Sequence, residues 1–580
     1  MKALLSGNEA IARGAWEAGV AVGAAYPGTP STEILETLAP LPGVHAQWSP
    51  NEKVALEVGF GASLAGRRAL VAMKHVGLNV AADPLMSASY TGVNGGFVVV
   101  TADDPGLHSS QNEQDNRHYA RAAKIPCIEP SDSAEARDFT VLAFTLSERF
   151  DTPVLLRTTT RVSHSKSLVE LGERAREHTQ PYYKDPTKYV IMPANARMRH
   201  SVVEARLLDL ADYAETSPLN RIEWRDRKIG VVTSGISYQY VREAVPEASV
   251  LKLGLTFPLP FKLIAEFAAG VEELWVVEEL DPFLEDQLKA NGIACRGKDA
   301  LPLEGEFSPA VVRKGILGVE PPPVPKAAAA LPVRPPVLCP GCPHRGVFYT
   351  LRQLNLTVLG DIGCYTLGAL PPLDAMDLCL CMGASISGGL GMVKADPELA
   401  GKTVAVIGDS TFLHSGMTGL LDVVYNQAPL PVLILDNRTT AMTGHQDHPG
   451  TGRTLQGQPA KAVDFLALVK ALGVTRTAVV DPFQLDRLKE TLREFLAAGE
   501  PSVIIARRPC ALISKQPANP LAVDAAACRK CRSCLRLGCP AISACAGGTV
   551  AIDPALCTGC GLCASVCKYD AIVKEGEASA

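Results

Sequence analysis

The chain has 580 residues, of which 47% are hydrophobic and 20% are charged, an ordinary globular composition for roughly four domains. Its formal net charge of −5 leaves no basic footprint, so we expect no nucleic-acid partner. No apolar run approaches the roughly 18 residues of a membrane span, and the N-terminus lacks the pattern of a signal peptide. We therefore expect a cytoplasmic protein without a membrane association.

Two features stand out near the N-terminus. A strand predicted over residues 21–25 leads into the loop YPGTPS, which contains Thr29 and Ser31. A Pro/Gly turn followed by a Ser31 helix cap would explain this loop. A helix is then predicted over residues 51–64, with Glu52 in its first turn. The helix dipole favours a carboxylate there, so its position alone assigns Glu52 no chemical role.

A buried strand is predicted over residues 98–100, and the polar run 103–117 follows as a loop at its carboxyl end. A loop of this polarity at a strand end suits a substrate site. An arginine that pairs with a substrate carboxylate is chemically sensible there. Arg117 and Arg121 are the candidates, and the sequence does not choose between them.

The middle of the chain is less informative. Residues 164–225 are charged and poorly periodic, so we predict a connection there. Alternating strands and helices follow and predict a smaller α/β domain with no catalytic cluster. The Pro/Ala-rich stretch 321–336 is predicted to be a linker and is the clearest domain boundary.

The stretch 404–444 parses as strand, turn, helix and strand, with strands over residues 404–407 and 432–435. Two apolar strands joined by a helix predict a parallel βαβ unit. Asp409 and Asn437 then lie at the carboxyl ends of adjacent strands, where open α/β sheets bind ligands. A carboxylate and an amide oxygen suit Mg²⁺. An ordinary βαβ unit with a turn Asp and a turn Asn is the alternative.

The cysteines are concentrated at the C-terminus, where nine of the 17 lie between Cys528 and Cys567. They form two CxxCxxC runs, each followed by a fourth cysteine, which is typical of a bacterial two-cluster ferredoxin. In that arrangement the fourth cysteine of each run binds the other cluster. Zinc is the alternative occupant of CxxC pairs. The predicted sets are Cys528, Cys531, Cys534 and Cys567 for one cluster, and Cys557, Cys560, Cys563 and Cys539 for the other.

The tail departs from the usual ferredoxin pattern in two places. The first run has four residues before its last cysteine where three are usual, and Lys568 replaces the usual proline after the second run. The longer loop still allows ligation. Cys545 is left over.

Together these motifs resemble the thiamine diphosphate-dependent 2-oxoacid:ferredoxin oxidoreductases. The resemblance rests on YPGTPS, CPGCPH, GDIGCYTLG, GDSTFLHSG, LDNRTTAMTGH and the tail, and it is strongest to the large subunit of the indolepyruvate branch. It implies an α/β fold with two doubly wound thiamine-diphosphate-binding domains, a smaller transketolase C-terminal-like domain and an α+β two-cluster ferredoxin domain. The implied segments are a pyrimidine-binding domain (1–165), a connection plus the transketolase-like domain (166–320), the linker (321–336), a diphosphate-binding domain (337–520) and the ferredoxin-like domain (521–580).

The resemblance assigns the ends of the βαβ unit to the cofactor. Asp409, Asn437 and the carbonyl of Thr439 are implied Mg²⁺ ligands. Gly408 and Ser410 are implied to approach the diphosphate, although many of these enzymes have glycine where this chain has Ser410.

Further residues are implied near the same site. Backbone amides at Gly383, in a Gly/Ser-rich helix start, are predicted to bind an anion. His445 and His448 follow the βαβ unit, and one of them serves the substrate or coenzyme A, or both only pack a loop.

The resemblance also gives Glu52 and Thr29 chemical roles. Thiamine diphosphate needs a buried carboxyl group that hydrogen-bonds its aminopyrimidine ring, a general acid/base function. Glu52 matches that position, with Glu57 as the second candidate, and Thr29 matches a threonine near the substrate carboxyl. Both must meet the diphosphate site, within one chain or across a dimer.

A third iron–sulfur cluster is implied by cysteines in the diphosphate-binding domain. In related enzymes with one cluster, cysteines in similar places hold it near the thiamine ring. The alternative is a CxxC turn with unrelated buried thiols. The implied ligands are Cys339, Cys342, Cys364 and Cys510.

The implied reaction is oxidative decarboxylation of arylpyruvates such as indolepyruvate with coenzyme A, giving aryl-acetyl-CoA and CO₂ and reducing ferredoxin. The implied partner is a smaller beta subunit in an α2β2 assembly. Three alternatives remain: the same chemistry on phenylglyoxylate or a branched-chain 2-oxoacid, an electron-transfer subunit with a vestigial thiamine fold, and a non-oxidative decarboxylase. Retention of Glu52, Asp409 and Asn437 argues against the second, and the tail argues against the third.

Overall fold

The structure is a computed structural model that describes residues 1–175, 179–322, 334–514 and 519–576. The chain folds as two units, Met1–Lys326 and Ala327–Ala580. The division falls inside the predicted linker, of which residues 323–333 lie outside the described part of the chain. Within the described residues, no helix is both long and apolar enough to cross a bilayer.

The first unit alternates strands and helices along most of its length. Its described strands are β1 (Lys2–Ser6), β2 (Val22–Ala25), β3 (His45–Trp48), β4 (Ala69–Lys74), β5 (Phe97–Asp103), β6 (Cys127–Ile128), β7 (Val154–Thr159), β8 (Lys166–Glu170), β9 (Arg221–Glu223), β10 (Asp226–Ser234), β11 (Ala248–Leu253), β12 (Leu255–Phe257) and β13 (Glu273–Val277). Its described helices are α1 (Gly7–Glu17), α2 (Thr32–Leu38), α3 (Glu52–Leu64), α4 (His75–Val80), α5 (Ala82–Thr91), α6 (Arg117–Ala123), α7 (Ser133–Phe150), α8 (Thr160–His164), α9 (Pro186–Tyr189), α10 (Pro193–Ala214), α11 (Ser237–Ala244), α12 (Phe261–Ala269), α13 (Phe283–Ala290) and α14 (Pro309–Leu317).

The main sheet of the first unit has the order β12-β6-β7-β5-β4-β2-β3. Its pairs are parallel except for β12 with β6. All residues of β4, β5 and β7 are buried, as expected for a parallel sheet covered by helices on both faces. Because β3, β2 and β4 are parallel neighbours, the loops that follow them share one edge of the sheet.

A second sheet in this unit has the order β13-β10-β11-β9, with β9 antiparallel. Its core joins that of the main sheet, since Val71 and Val99 belong to the same buried cluster as Val232 and Val276. This sheet agrees with the smaller α/β domain predicted for the middle of the chain.

The segment 164–225, predicted to be a connection, contains a long helix that its weak periodicity did not reveal. The helix α10 runs for 22 residues inside this segment. Its buried stripe consists of Val203, Arg206, Leu210 and Ala214, which recur at helical spacing. Only one of these four buried residues is charged. The other faces of α10 are so polar, however, that the apolar periodicity of the segment is weak.

The second unit contains one parallel sheet and the cysteine-rich tail. Its described strands are β14 (Thr357–Gly360), β15 (Leu378–Cys379), β16 (Thr403–Gly408), β17 (Pro431–Asp436), β18 (Arg476–Val480), β19 (Ser502–Arg507), β20 (Leu521–Val523), β21 (Ile542–Ala544), β22 (Val550–Ile552) and β23 (Ile572–Lys574). Its described α-helices are α15 (His344–Leu354), α16 (Ala384–Ala395), α17 (Asp409–Thr411), α18 (Met417–Tyr425), α19 (Phe465–Ala471), α20 (Leu485–Ala498) and α21 (Leu562–Ser565).

The parallel sheet has the order β15-β14-β16-β17-β19-β18. It contains the predicted βαβ unit, with β16 and β17 as adjacent parallel strands. The tail forms the antiparallel pairs β20–β23 and β21–β22. Leu562 and Ile572 of the tail share a buried cluster with Val347 and Leu433, so the tail packs on the same core as the sheet.

A buried ion network links the two sheets of the first unit, and Arg117 is part of it. Arg117 is 1% exposed and donates to Asp115 and, over 2.6 Å, to Oε2 of Glu278, which follows β13. Burial alone would lower the pKa of Arg117, but Asp115 and Glu278 outweigh it and raise that pKa above its usual value. Arg117, one of the two arginines predicted to pair with a substrate carboxylate, is therefore already engaged within the protein. Its guanidinium already neutralises two buried carboxylates.

We predict that Arg117→Met destabilises the first unit by about 3–5 kcal/mol, because it leaves two buried carboxylates without their cation. All four tryptophans, at positions 16, 48, 224 and 275, lie in this unit. Urea unfolding followed by tryptophan fluorescence therefore reports on it selectively. Arg121→Met is the matched control, since Arg121 is exposed on the same helix. Equal midpoints for the two variants would contradict the network's contribution.

Candidate active site

In the first unit, a group of candidate residues lies at the edge where β2, β3 and β4 end. Glu52 is 5% exposed at the start of α3, and the preceding Asn51 caps that helix by accepting from the amide of Val54 over 2.9 Å. A Cβ on Gly77 would lie 2.7 Å from Oε1 of Glu52, so this glycine leaves the room that the carboxyl group occupies. Thr29 is half-buried in the loop after β2.

The structure separates the two glutamate candidates of this helix. Glu57 is exposed and pairs with Lys53 on the outer surface of α3. Only Glu52 faces the buried edge of the sheet. A carboxyl group that hydrogen-bonds a buried cofactor ring must itself be buried, which Glu52 is and Glu57 is not.

Lys74 is a residue of this edge that the sequence analysis missed. It is the last residue of β4 and 9% exposed, and its ammonium donates to the carbonyl of Ser109 in the polar loop. Burial lowers the pKa of Lys74 to about 8, with the Asp104 carboxylate opposing the shift. The signal in the sequence was a lysine that closes an otherwise apolar strand. Lys74 is thus a cation at the site edge that no ion pair fully neutralises.

The polar loop itself folds back on a carboxylate. The amide of Ser109 and the hydroxyl of Ser110 donate to Oδ2 of Asp104 over 2.8 and 2.6 Å. Arg117, which was predicted to end this loop, instead begins α6.

In the second unit, another group of candidate residues lies where β16 and β17 end. Gly408 pairs with Leu435, so the residues that follow them are neighbours. Asp409 accepts from the amide of Arg438 over 2.8 Å, which brings it against the turn that contains Asn437. Both side chains are buried, at 2% and 7% exposure. A carboxylate and an amide group therefore adjoin at one sheet edge, as the sequence predicted.

Two neighbours shape this edge. A Cβ on Gly408 would lie 2.7 Å from the ring of the buried Tyr365, which explains the glycine at this position. The hydroxyl of Thr440 donates to the hydroxyl of Ser410 over 2.9 Å, so Ser410 faces the same turn as Asn437.

Two buried histidines flank Asp409 and Asn437. Nε2 of His448 lies 3.3 Å from Oδ2 of Asp409 and makes no hydrogen bond within the described residues. Nε2 of His344 lies 3.3 Å from Nδ2 of Asn437. Burial lowers the pKa of His344 to about 4, although Asp409 opposes the shift, so His344 is neutral. His445, the other histidine predicted near the cofactor, is exposed.

The backbone amides at the Gly/Ser-rich start of α16 bind a carboxylate of the protein itself. The amides of Gly383 and Ser385 donate to the carboxylate of Asp361 over 2.9 and 3.1 Å. Asp361 is fully buried, and burial raises its pKa to about 6. The Gly383 amide is therefore occupied by Asp361, which corrects its assignment to the cofactor. The pairing was not evident because 22 residues separate the two groups.

The tail cysteines gather in the two sets that the ferredoxin pattern predicted. One cavity is lined by Cys528, Cys531, Cys534 and Cys567. A second cavity is lined by Cys557, Cys560, Cys563 and Cys539, together with Cys342 of the sheet domain. In each cavity the fourth cysteine comes from the other run. The longer first run does not prevent this exchange, and Cys545 lies outside both cavities.

Two cysteines of the sheet domain, Cys342 and Cys364, have thiols whose pKa values are raised by burial and by neighbouring cysteines. Burial raises the pKa of Cys342 to about 12, and Cys339 and Cys364 add to the shift. Burial raises the pKa of Cys364 to about 11, and Cys510 and Cys339 add to it. The amide of Cys510 donates to the carbonyl of Asn437 over 2.9 Å, so this cysteine lies beside the Asp409 edge.

Comparison with known families gives three matches along the chain. Residues 13–216 match the thiamine-diphosphate-binding part of pyruvate flavodoxin/ferredoxin oxidoreductases. Residues 361–506 match the C-terminal TPP-binding domain of thiamine pyrophosphate enzymes, and residues 550–573 match a 4Fe-4S binding domain.

Curated relatives match over far longer stretches. The indolepyruvate oxidoreductase subunit IorA of Archaeoglobus fulgidus is 45% identical over 88% of this chain and 87% of its own length. The protein of the same name from Methanothermobacter thermautotrophicus is 44% identical over 99% of this chain and 98% of its own length. The chain belongs to the indolepyruvate:ferredoxin oxidoreductase alpha-subunit family. A ketoisovalerate oxidoreductase subunit VorB from Methanothermobacter marburgensis is 25% identical over only 46% of this chain and 83% of its own length.

Membership in this family confirms several sequence-based predictions. The protein is a thiamine diphosphate-dependent 2-oxoacid:ferredoxin oxidoreductase with iron–sulfur clusters, and its α/β fold with a ferredoxin-type tail is as predicted. Glu52 and Lys74 lie in the stretch that matches the first family, and Asp409 and Asn437 lie in the stretch that matches the second.

Proposed function

We propose that the chain catalyses the oxidative decarboxylation of indolepyruvate and similar aryl 2-oxoacids with coenzyme A, giving aryl-acetyl-CoA and CO₂ and reducing ferredoxin. This substrate class is supported by the large share of the chain that aligns with relatives named indolepyruvate oxidoreductase. They match 88–99% of the chain, whereas the ketoisovalerate relative matches less than half. Phenylglyoxylate and branched-chain 2-oxoacids are the competing substrates.

The residues of the second unit suit Mg²⁺ and a diphosphate. Asp409 and Asn437 supply buried oxygens with lone pairs left over after their backbone hydrogen bonds, and the Thr439 carbonyl completes the proposed ligands. The buried Nε2 of His448 has no hydrogen-bond partner among the described residues and suits a phosphate oxygen beside the metal. When bound, thiamine diphosphate supplies the nucleophile for decarboxylation and releases the electrons of the oxidation.

In the first unit we assign the acid/base role to Glu52. Its burial and its position at a sheet edge suit a carboxyl group that hydrogen-bonds the cofactor's aminopyrimidine ring. The retention of Glu52 together with Asp409 and Asn437 argues against a vestigial site. Thr29 is proposed to lie near the substrate.

We assign the substrate carboxylate to Lys74 in place of Arg117. Lys74 is the buried cation at the edge that also carries Glu52, and its present acceptor is a neutral carbonyl. A substrate carboxylate would be a stronger partner for an ammonium group than that carbonyl.

The proposed assembly follows the family. A subunit name in the curated relatives supports a smaller beta subunit, and we propose an α2β2 complex in the cytoplasm with ferredoxin as the electron acceptor. The tail clusters carry the electrons outward, and Cys339, Cys342, Cys364 and Cys510 are proposed to hold a third cluster between them and the thiamine site.

The function is tested by anaerobic reduction of a viologen dye with indolepyruvate, coenzyme A and the partner subunit. We expect reduction that depends on coenzyme A, and a rate lower by about 10²–10⁴-fold in Glu52→Gln, because the acid/base group is lost. Glu57→Gln is the matched control on the same helix and should retain the rate. If no 2-oxoacid gave dye reduction dependent on coenzyme A, the enzymatic proposal would fail.

Lys74→Met is expected to raise the KM for indolepyruvate by about 10–100-fold, the contribution of a hydrogen bond to a charged group. Lys74→Arg keeps the charge and should recover part of the affinity. Because only the protonated lysine attracts a carboxylate, wild-type kcat/KM should fall as the pH rises through about 8, and this fall should be absent in Lys74→Met. An unchanged KM in Lys74→Met would rule out the assignment.

The third cluster is tested by iron content. At about four irons per cluster, three clusters predict about twelve irons per chain. Cys364→Ser should lower the value to about eight, whereas Cys545→Ser should leave it unchanged because Cys545 lies outside both tail cavities. About eight irons in the wild-type chain would remove the third cluster.

A further inference from the structure

The two cysteine runs of the tail differ sharply in charge. The run from Cys528 to Cys539 contains four basic residues and no acidic one, whereas the run from Cys557 to Cys567 contains no charged residue. Lys568 follows directly after Cys567, whose thiol belongs to the first cavity. Arg529 and Arg532 line this cavity, and Lys530, Arg536 and Lys568 lie within two residues of its cysteines in the sequence. We call these five residues the basic rim.

The basic rim is exposed and lacks acidic partners. All five side chains are exposed, and none forms an ion pair with another residue in the described part of the chain. Lys530 donates to the carbonyl of Gly547, which leaves its charge uncompensated. Five adjacent positive charges repel one another, and they stand out on a chain whose formal net charge is −5. Such a surface is suited to an acidic partner.

The first cavity is also the more exposed of the two. Cys531 is exposed at its mouth, and Tyr569 in its lining is 47% exposed. Cys563 in the second cavity is buried. A cluster held by the first set therefore lies closest to solvent, where a second protein can approach it.

The second cavity, by contrast, adjoins the sheet domain. Cys342 of the proposed third cluster lines it, and so does Arg345, whose guanidinium donates to the carbonyls of Leu338 and Leu537 over 2.6 Å each. The order from the sheet domain outward is therefore the third set, the second cavity and the first cavity.

We propose that the basic rim is the docking surface for an acidic electron-carrier protein, and that electrons leave the chain from the cluster of the first cavity. This inference rests on the proposed function. In each transfer the reduced cluster of the first cavity loses one electron and the cluster of the carrier gains it, with no bond made or broken. Oxidation of the 2-oxoacid supplies the electrons. Complementary charge speeds the encounter and orients the small, transient interface that electron transfer requires.

The test compares two triple variants with the same change in net charge. The rim variant combines Arg529→Gln, Arg532→Gln and Arg536→Gln. The control combines Arg487→Gln, Lys489→Gln and Arg493→Gln on α20 of the same unit. The probe is a purified acidic 4Fe-4S ferredoxin, and a viologen dye serves as the small acceptor. Both variants are purified anaerobically with the partner subunit.

We expect the rim variant to raise the KM for ferredoxin by about tenfold at low salt, the combined effect of about three exposed ion pairs. The difference should shrink as salt screens the charges. Viologen reduction and iron content should match the wild type, which separates docking from cluster loss. Equal ferredoxin KM values in the rim variant and the control would overturn the proposal.

Binding provides a readout that does not require turnover. Interferometry with immobilised ferredoxin and the oxidised complex should show weaker, salt-sensitive binding for the rim variant alone. If the wild type reduced no dye with any 2-oxoacid but still bound ferredoxin through the rim, the proposed function would fail and the docking surface would stand. Rim-dependent binding to anionic lipid vesicles, with ferredoxin binding unchanged, would instead assign the surface to a membrane and overturn the proposal.

Discussion

The carboxyl edge of a parallel sheet is the constraint on which both halves of this protein depend. Parallel strands end side by side, so residues far apart in sequence meet wherever their strands are neighbours. In the first unit this brings the loop of Thr29, the helix start at Glu52 and the end of β4 at Lys74 to one edge. In the second unit it brings Asp409 and Asn437 together. The helices that follow these strands begin at the same edge and fix the side chains, as the capped start of α3 does for Glu52.

The site features that depend on local residue spacing and on strand order could be predicted from the sequence. Asp409 and Asn437 were predictable because two apolar strands and a crossover helix determine where their ends lie. The cysteine sets were predictable because fixed spacings accompany a known exchange of the fourth ligand. The engagement of Arg117 by Glu278 could not be predicted because 161 residues separate them, and no local pattern reports such a pairing. Gly383 was misassigned because its acceptor Asp361 follows a different strand. The sequence did not choose between His445 and His448, because the course of a turn decides which side chain faces inward.

Several buried charged side chains have structural roles in the described part of the chain. Because their charges are already used in this way, these side chains are unsuitable as catalytic groups. Arg117 holds the carboxylates of two sheets together, Asp361 closes the start of α16, and Arg345 ties the backbone at Leu338 to that at Leu537. Lys74 differs in its place, because its ammonium lies at the carboxyl edge of the sheet, where it donates to one neutral carbonyl and the carboxylate of Asp104 opposes the effect of burial on its pKa. A buried cation without a full counter-charge is costly. That cost is reasonable at a site that receives an anionic substrate.

The two departures of the tail from the usual ferredoxin pattern have one property in common: both change the surface of the tail and not its cysteine sets. The first run has an additional residue in the segment Leu535-Arg536-Leu537-Gly538, where a short 3-10 helix turns Leu537 into the core and Arg536 outward. Gly538 follows in the left-handed region at φ 65°, which a glycine adopts without strain and which returns the chain to Cys539. The second departure replaces a proline with Lys568. The longer segment contains the exposed Arg536, and the proline position is taken by the exposed Lys568. Neither departure changes which cysteines meet in the two cavities. The departures from the ferredoxin pattern therefore alter the charge of the tail's surface and leave the two cysteine sets unchanged.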